Sequence, residues 1–302
     1  MSTKNKVIFF DLFDTLVRGN RGLLEPYFDR ETDRLGDNGT LKNSQETIER
    51  LASLYPDMLN NFTLDEAVKY YDEQMKSCII NPDKNVLQML ADLKQDGWKL
   101  CVISDAARVD IAHWDESPLA QYFDDVVFSC DVGFVKPDQR LFDVAKERMG
   151  NPIDCVFCGD GGHEELQGAR LANMITAKAE WINNRRVEEL YQFSDIRAQS
   201  TEMMVELTRK LDFEQIRNSI ELEEQMLSDL TNLATGQNIV GDINDVLDWM
   251  YDNPDILQKA VDCGHIQYEH VASLVERYSG DTKGKHQEPE EIEEQNIEPE
   301  LE

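Results

Sequence analysis

The sequence predicts an open, doubly wound α/β fold built on a parallel sheet, and three observations predict it. Five short apolar runs, at residues 7–10, 100–103, 126–128, 155–158 and 174–177, are continuous rather than alternating, as strands covered on both faces must be. Segments of helical period lie between them, and strand–helix alternation is the signature of parallel crossovers. Asp11 and Ser104 directly follow two of the runs and Asp160 lies one glycine past a third, at the sheet edge where open parallel sheets bind ligands.

In chain order, the first strand at 7–10 is followed by an unusually long connection to about residue 85. It carries helical patterns at 24–35, 44–54 and 64–77, where most strand-to-helix loops need only about 2–6 residues. An insertion of that size directly after the first strand is placed to cover whatever sits at the strand's end. The next helix, 85–94, shows Val86, Leu87, Leu90 and Leu93 on one face and stops at Asp96–Gly97. A helix at 141–149 stops at Gly150. From Trp181 onward only helical patterns follow. Phe213, Ile216, Ile220, Leu227 and Leu230 form an apolar stripe, broken by Glu223, that is suited to a protein partner or to self-association. Residues 281–302 hold many acids, few lysines and no aromatic residue, the composition of a disordered tail. The expected units are an α/β core of 1–18 and 86–182, a helical cap of 19–85, a helical region of 183–280 and the tail.

The chain of 302 residues carries 60 acidic and 30 basic residues, a formal charge of −30. That field opposes nucleic acid and anionic lipid, so neither is an expected partner. The first residues lack the apolar stretch of a secretory signal, and no apolar run approaches the ~20 residues of a membrane span; a cytoplasmic location is expected. The six cysteines are scattered. Cys155 and Cys158, the single CxxC pair, fall on one strand with side chains on opposite faces, which suits neither zinc nor a redox couple.

The chemistry concentrates at the strand ends. Asp11 and Asp160 place two carboxylates at one edge, an arrangement that calls for a hard cation such as Mg²⁺. Lys136, between Gly133 and Pro137, supplies positive charge to temper the acids and bind an anion. Four segments then carry a resemblance. FFDLFDTL (9–16), VISDA (102–106), GFVKPDQRLF (133–142) and GDGGHEELQGARLANM (159–174) resemble, in order, the four motifs of the haloacid dehalogenase-like hydrolases, over roughly residues 5–182. The resemblance implies a three-layer Rossmann-like core with a helical cap of the first type. It also implies a hydrolase, most simply a phosphatase of a small phosphorylated substrate. Asp11 would be the nucleophile that becomes phosphorylated, Ser104 would bind a phosphoryl oxygen and Lys136 would steady the transferring group. Mg²⁺ would be held by Asp11, the backbone carbonyl of Phe13, Asp160 and Glu165.

One departure bears on turnover. Phosphatases of the family usually carry a second aspartate two positions after the nucleophile as general acid and base, and here that position is Phe13. Such help is worth roughly 10²–10⁴-fold in rate. Asp14 stands one residue further on, and His163 in the last motif is a candidate proton carrier. Two alternatives stay open: a weakened member serving as a binding module, and a 2-haloacid dehalogenase, against which the intact Gly159–Asp160 pair argues.

Overall fold

The computed structural model of the chain describes residues 6–182, 193–218 and 220. Six parallel strands stand in the order β3-β2-β1-β4-β5-β6: β1 (Val7–Phe10), β2 (Lys99–Ser104), β3 (Asp125–Phe128), β4 (Cys155–Gly159), β5 (Ile175–Ala179) and β6 (Ile196–Ala198). The order reverses between β1 and β4, which pair directly, with Phe10 opposite Cys158. The two central loops therefore leave the sheet on either side of a crevice, the switch point where such sheets take ligands.

Alternate side chains of each strand feed two cores, one on each face. Ile8, Phe10, Leu100, Val102, Val156 and Cys158 pack with α4 (Lys84–Gln95) and α8 (Thr201–Arg209). Val7, Phe9, Cys101, Ile103, Cys155 and Phe157 pack with α6 (Gln139–Arg148) and α7 (Glu165–Leu171). This is the three-layer arrangement, and it explains the continuous apolar runs: in β1, β4 and β5 every residue is buried against one helix layer or the other. Cys155 and Cys158 lie in different cores, as their spacing requires.

The insertion after β1 is helical: α1 (Arg30–Asp37), α2 (Ser44–Leu54) and α3 (Leu64–Ile80) enclose a third core around Leu24, Ile48, Leu51, Met58 and Tyr71. Each helix starts on a side-chain cap: Asp29 for α1, Asn43 for α2, and a Thr63–Glu66 capping box for α3. The helix expected at 24–35 is two pieces. A 3₁₀ turn at Gly22–Tyr27 ends at extended Phe28, and Asp29, also extended, then opens α1 by accepting the Thr32 N–H on its side chain. The cap sits on the core: the Tyr71 hydroxyl donates to Asp110 at 3.1 Å and the Ser117 hydroxyl to the carbonyl of Ile79 at 2.7 Å. Gly39 of the cap has positive φ, and a Cβ there would stand 2.5 Å from the carbonyl oxygen of Cys130, so only glycine lets this turn lie on α5 (Ser129–Val132), the short helix after β3.

The core also runs beyond the boundary expected at 182. β6 pairs with β5 through Ala177 and Ile196, and α8 packs Met204 and Val205 into the first core. The start of the apolar stripe is buried there too: Phe213 packs against Trp98, ring centroids 6.2 Å apart, and Ile216 packs beside it. Leu227, Leu230 and the acidic tail lie outside the described residues. Among the described residues no helix is long and apolar enough to cross a membrane.

Candidate active site

The site is assembled from the ends of β1 and β4 and the starts of two helical segments. Asp11 follows β1, and its N–H donates to the Cys158 carbonyl at 2.9 Å, so the β1–β4 ladder itself fixes the residue. The chain then turns at once: the N–H groups of Leu16 and Val17 both donate to the carbonyl of Leu12. This single turn brings Thr15 under Asp11, where its Oγ1 donates to Oδ2 at 3.1 Å. Lys136 reaches the same carboxylate from the loop before α6, with Nζ 2.6 Å from Asp11 Oδ1 and 2.5 Å from Glu165 Oε2. The other oxygen of Glu165 accepts the Gly161 N–H at 2.8 Å. Asp160 Oδ1 accepts from Gly162 N–H at 3.0 Å. Oxygens of Asp11, Asp160 and Glu165 lie within 4.8 Å of one another.

Electrostatics follow from burial. Asp11, Lys136 and Glu165 are all nearly sealed from water. Desolvation pushes Glu165 up to about 8 and raises Asp11, with Lys136 opposing both shifts. Burial by itself would lower Lys136, but Asp11 and Glu165 hold the ammonium well above its ordinary range. Lys136 bonds two of the three converging carboxylates, Asp11 and Glu165, and such a donor set of hard oxygens fits a divalent cation.

Four of the residues singled out in the sequence, Asp11, Lys136, Asp160 and Glu165, are thus brought together. Ser104 closes β2 at the same edge, fully buried, with its hydroxyl donating to the Asp105 carbonyl at 3.1 Å. Phe13 is half-buried and packs against the first core. Asp14 lies in the turn after Asp11: its φ is +58° and its Oδ1 accepts the Gly19 N–H at 3.4 Å. His163 has a partner, with Nδ1 3.5 Å from Asp105 Oδ2; that hydrogen bond raises the imidazole above its usual range.

Three further residues carry the site and escape sequence reasoning. Asp105 accepts the Lys136 backbone N–H at 2.9 Å, linking the loop after β2 to the lysine. Thr15 holds Asp11; its spacing of four from Asp11 is the signal for a turn. Lys178, fully buried in β5, donates to the Asp160 carbonyl at 3.1 Å, and nothing in its local sequence announces this. Gly159 is equally decisive: a Cβ there would lie 2.1 Å from Glu165 Oε1 and 3.0 Å from the Phe157 ring. Glu165 is held at both oxygens, so it can step aside only by breaking those bonds. Gly159→Ala is expected to lower stability by about 1–3 kcal/mol and displace the Lys136 partner; a thermal melt that matches the parent protein would contradict this.

A family model described as haloacid dehalogenase-like hydrolase matches residues 5–173. The glyceraldehyde 3-phosphate phosphatase of Methanothermobacter thermautotrophicus is 36% identical over 104 residues, 33% of this chain and 45% of that relative, so this match spans less than half of the relative's length. The enzyme of the same name from Methanocaldococcus jannaschii is 26% identical over 227 residues, covering 68% of this chain and 98% of the relative. Among solved structures, one described as a dehalogenase superposes with a TM-score of 0.51 at 20% identity, over 68% of this chain and 98% of that one, a likeness of fold.

Proposed function

The chain belongs to the haloacid dehalogenase-like hydrolase family, and from that premise we propose that it is a Mg²⁺-dependent phosphatase of a small phosphorylated metabolite, working through an aspartyl-phosphate on Asp11. The observation that carries the proposal is the buried Asp11–Lys136–Glu165 chain beside Asp160 at the sheet's switch point. The relatives named as glyceraldehyde 3-phosphate phosphatases support the substrate class.

Asp11, Asp160, Glu165 and the Phe13 carbonyl would hold the metal, which would draw charge from the phosphoryl oxygens. Asp11 attacks phosphorus, the bond to the leaving oxygen breaks, and an acyl phosphate remains on Asp11. Water then attacks that phosphorus, releasing inorganic phosphate and the free carboxylate. Lys136 and the Ser104 hydroxyl bind phosphoryl oxygens, and Lys136 holds Asp11 in place by the 2.6 Å contact. The closed cap excludes bulk water during transfer.

Phe13 decides the leaving-group preference. Its side chain cannot protonate a departing alkoxide, whereas nitrophenolate departs without a proton. Wild type is therefore expected to turn over p-nitrophenyl phosphate far better than alkyl phosphates such as glyceraldehyde 3-phosphate. Phe13→Asp is expected to raise the alkyl rate by about 10²-fold or more and leave the aryl rate within a few-fold. Assays with and without Mg²⁺ test this. Turnover indifferent to chelation removes the metal from the proposal, and halide release from 2-haloacids in place of phosphate release replaces the proposal with dehalogenation.

A further inference from the structure

Strand β5 and a tryptophan two residues beyond it hold both acid-bearing loops. Lys178 lies inside a strand whose five side chains are all buried, opposite Gly159 in the parallel register. A lysine there loses its hydration, which a valine would not. Its Nζ donates to the Asp160 carbonyl at 3.1 Å. With Gly161 N–H on Glu165 and Gly162 N–H on Asp160, this bond ties the turn that aims the Asp160 carboxylate. Two residues beyond β5, the indole Nε1–H of Trp181 donates to the Thr15 carbonyl at 2.7 Å. Thr15 is the residue whose hydroxyl grips Asp11, so the indole anchors the turn under the nucleophile.

We propose that Lys178 and Trp181 are positioning residues: Lys178 fixes the loop of Asp160, and Trp181 fixes Asp11 through Thr15. One strand thereby sets the separation between the two acids. Misplacement of reacting groups by about 1 Å costs on the order of 10²-fold in rate, so a loosened turn is read in kcat while substrate binding persists. The kinetic part rests on the phosphatase reading.

The experiment uses the full chain and p-nitrophenyl phosphate with Mg²⁺. Trp181→Phe keeps the ring and removes the donor; Trp181→Leu removes both. Lys178→Met keeps the stem and removes the ammonium. The expected result is a kcat lower by about tenfold or more in Trp181→Phe and in Lys178→Met, with KM unchanged and melting temperatures equal to or above the parent's for Lys178→Met, since a buried charge has been removed. A Trp181→Phe protein that matches wild type while Trp181→Leu is impaired shows that only the ring's bulk matters and overturns the Trp181 role. A Lys178→Met protein with unchanged kcat overturns the Lys178 role, as does a kcat loss that merely follows a lower melting temperature. A readout free of turnover is the ¹⁵N-indole resonance of Trp181, assigned by its loss in Trp181→Phe. It is expected to shift in Asp11→Asn, and no shift overturns the coupling. If Asp11→Asn keeps full turnover, the phosphatase reading fails by itself, and the indole resonance still decides the positioning.

Discussion

Lys136→Met is expected to cost the fold about 3–5 kcal/mol at pH 9 and to abolish turnover, because it removes the cation from a buried group of acids. Methionine preserves the stem and its packing, so the loss reports the charge. The ammonium lies 2.6 Å from Asp11 and 2.5 Å from Glu165, and water cannot reach either carboxylate to replace it. The cost should depend on pH, with a sign that follows from proton counting. Burial holds Glu165 at about 8 and raises Asp11 even with Lys136 present; without it both rise further, while in the unfolded chain they return to ordinary values near 4.5 and 3.8. Between those limits the folded variant binds more protons than the unfolded chain, so its stability falls as pH rises. Urea denaturation of wild type and variant at pH 6 and pH 9 measures the difference. The loss should be clearly smaller at pH 6, where both acids take protons. Equal losses at the two pH values, or a loss below about 1 kcal/mol at pH 9, would show that the pair does not carry this charge.

The parts of this site that were legible in the sequence are those written in local chemistry. A buried parallel strand must be apolar on both faces, so β1 and β4 announce themselves, and a polar residue at the end of such a run marks the ligand edge; Asp11, Ser104 and Asp160 follow directly. Lys136 is legible as a cation that tempers the acids, and Glu165 only through motif order; the proximity of either to Asp11 depends on a contact spanning 125 residues for one and on the turn after β4 for the other. The misses have the opposite character. Lys178 breaks the apolar run at 174–177 and reads as a strand end, yet β5 continues to Ala179, because the amine finds a carbonyl at the site. β6 is three residues long with exposed Arg197 at its centre, too short and too polar to signal a strand; it forms because the edge of β5 supplies the partner. Asp105 carries no signal of its own beside Ser104, and only the fold shows that its carboxylate holds the Lys136 backbone N–H and faces His163.

Asp11→Asn separates catalysis from architecture more sharply than any other substitution at this site. Asparagine has the same shape: its amide oxygen can accept from Lys136, and its NH₂ can face the Thr15 hydroxyl, which accepts as readily as it donates. The charge of residue 11 disappears, and Asp160 is among the charges that raise Asp11, so relief of repulsion offsets the weakened contact with Lys136. Stability is therefore expected to stay within about 1 kcal/mol of wild type. Turnover is expected to fall by at least about 10³-fold, because an amide nitrogen or oxygen is no nucleophile toward phosphorus and the rest of the site supplies no substitute. The direct check is acid quenching of wild type during turnover, followed by mass analysis of the peptide containing residue 11. A phosphoryl adduct is expected on that peptide in wild type and on none in the variant. Full turnover in Asp11→Asn would move the nucleophile elsewhere, and turnover lost together with the fold would return Asp11 to a structural role.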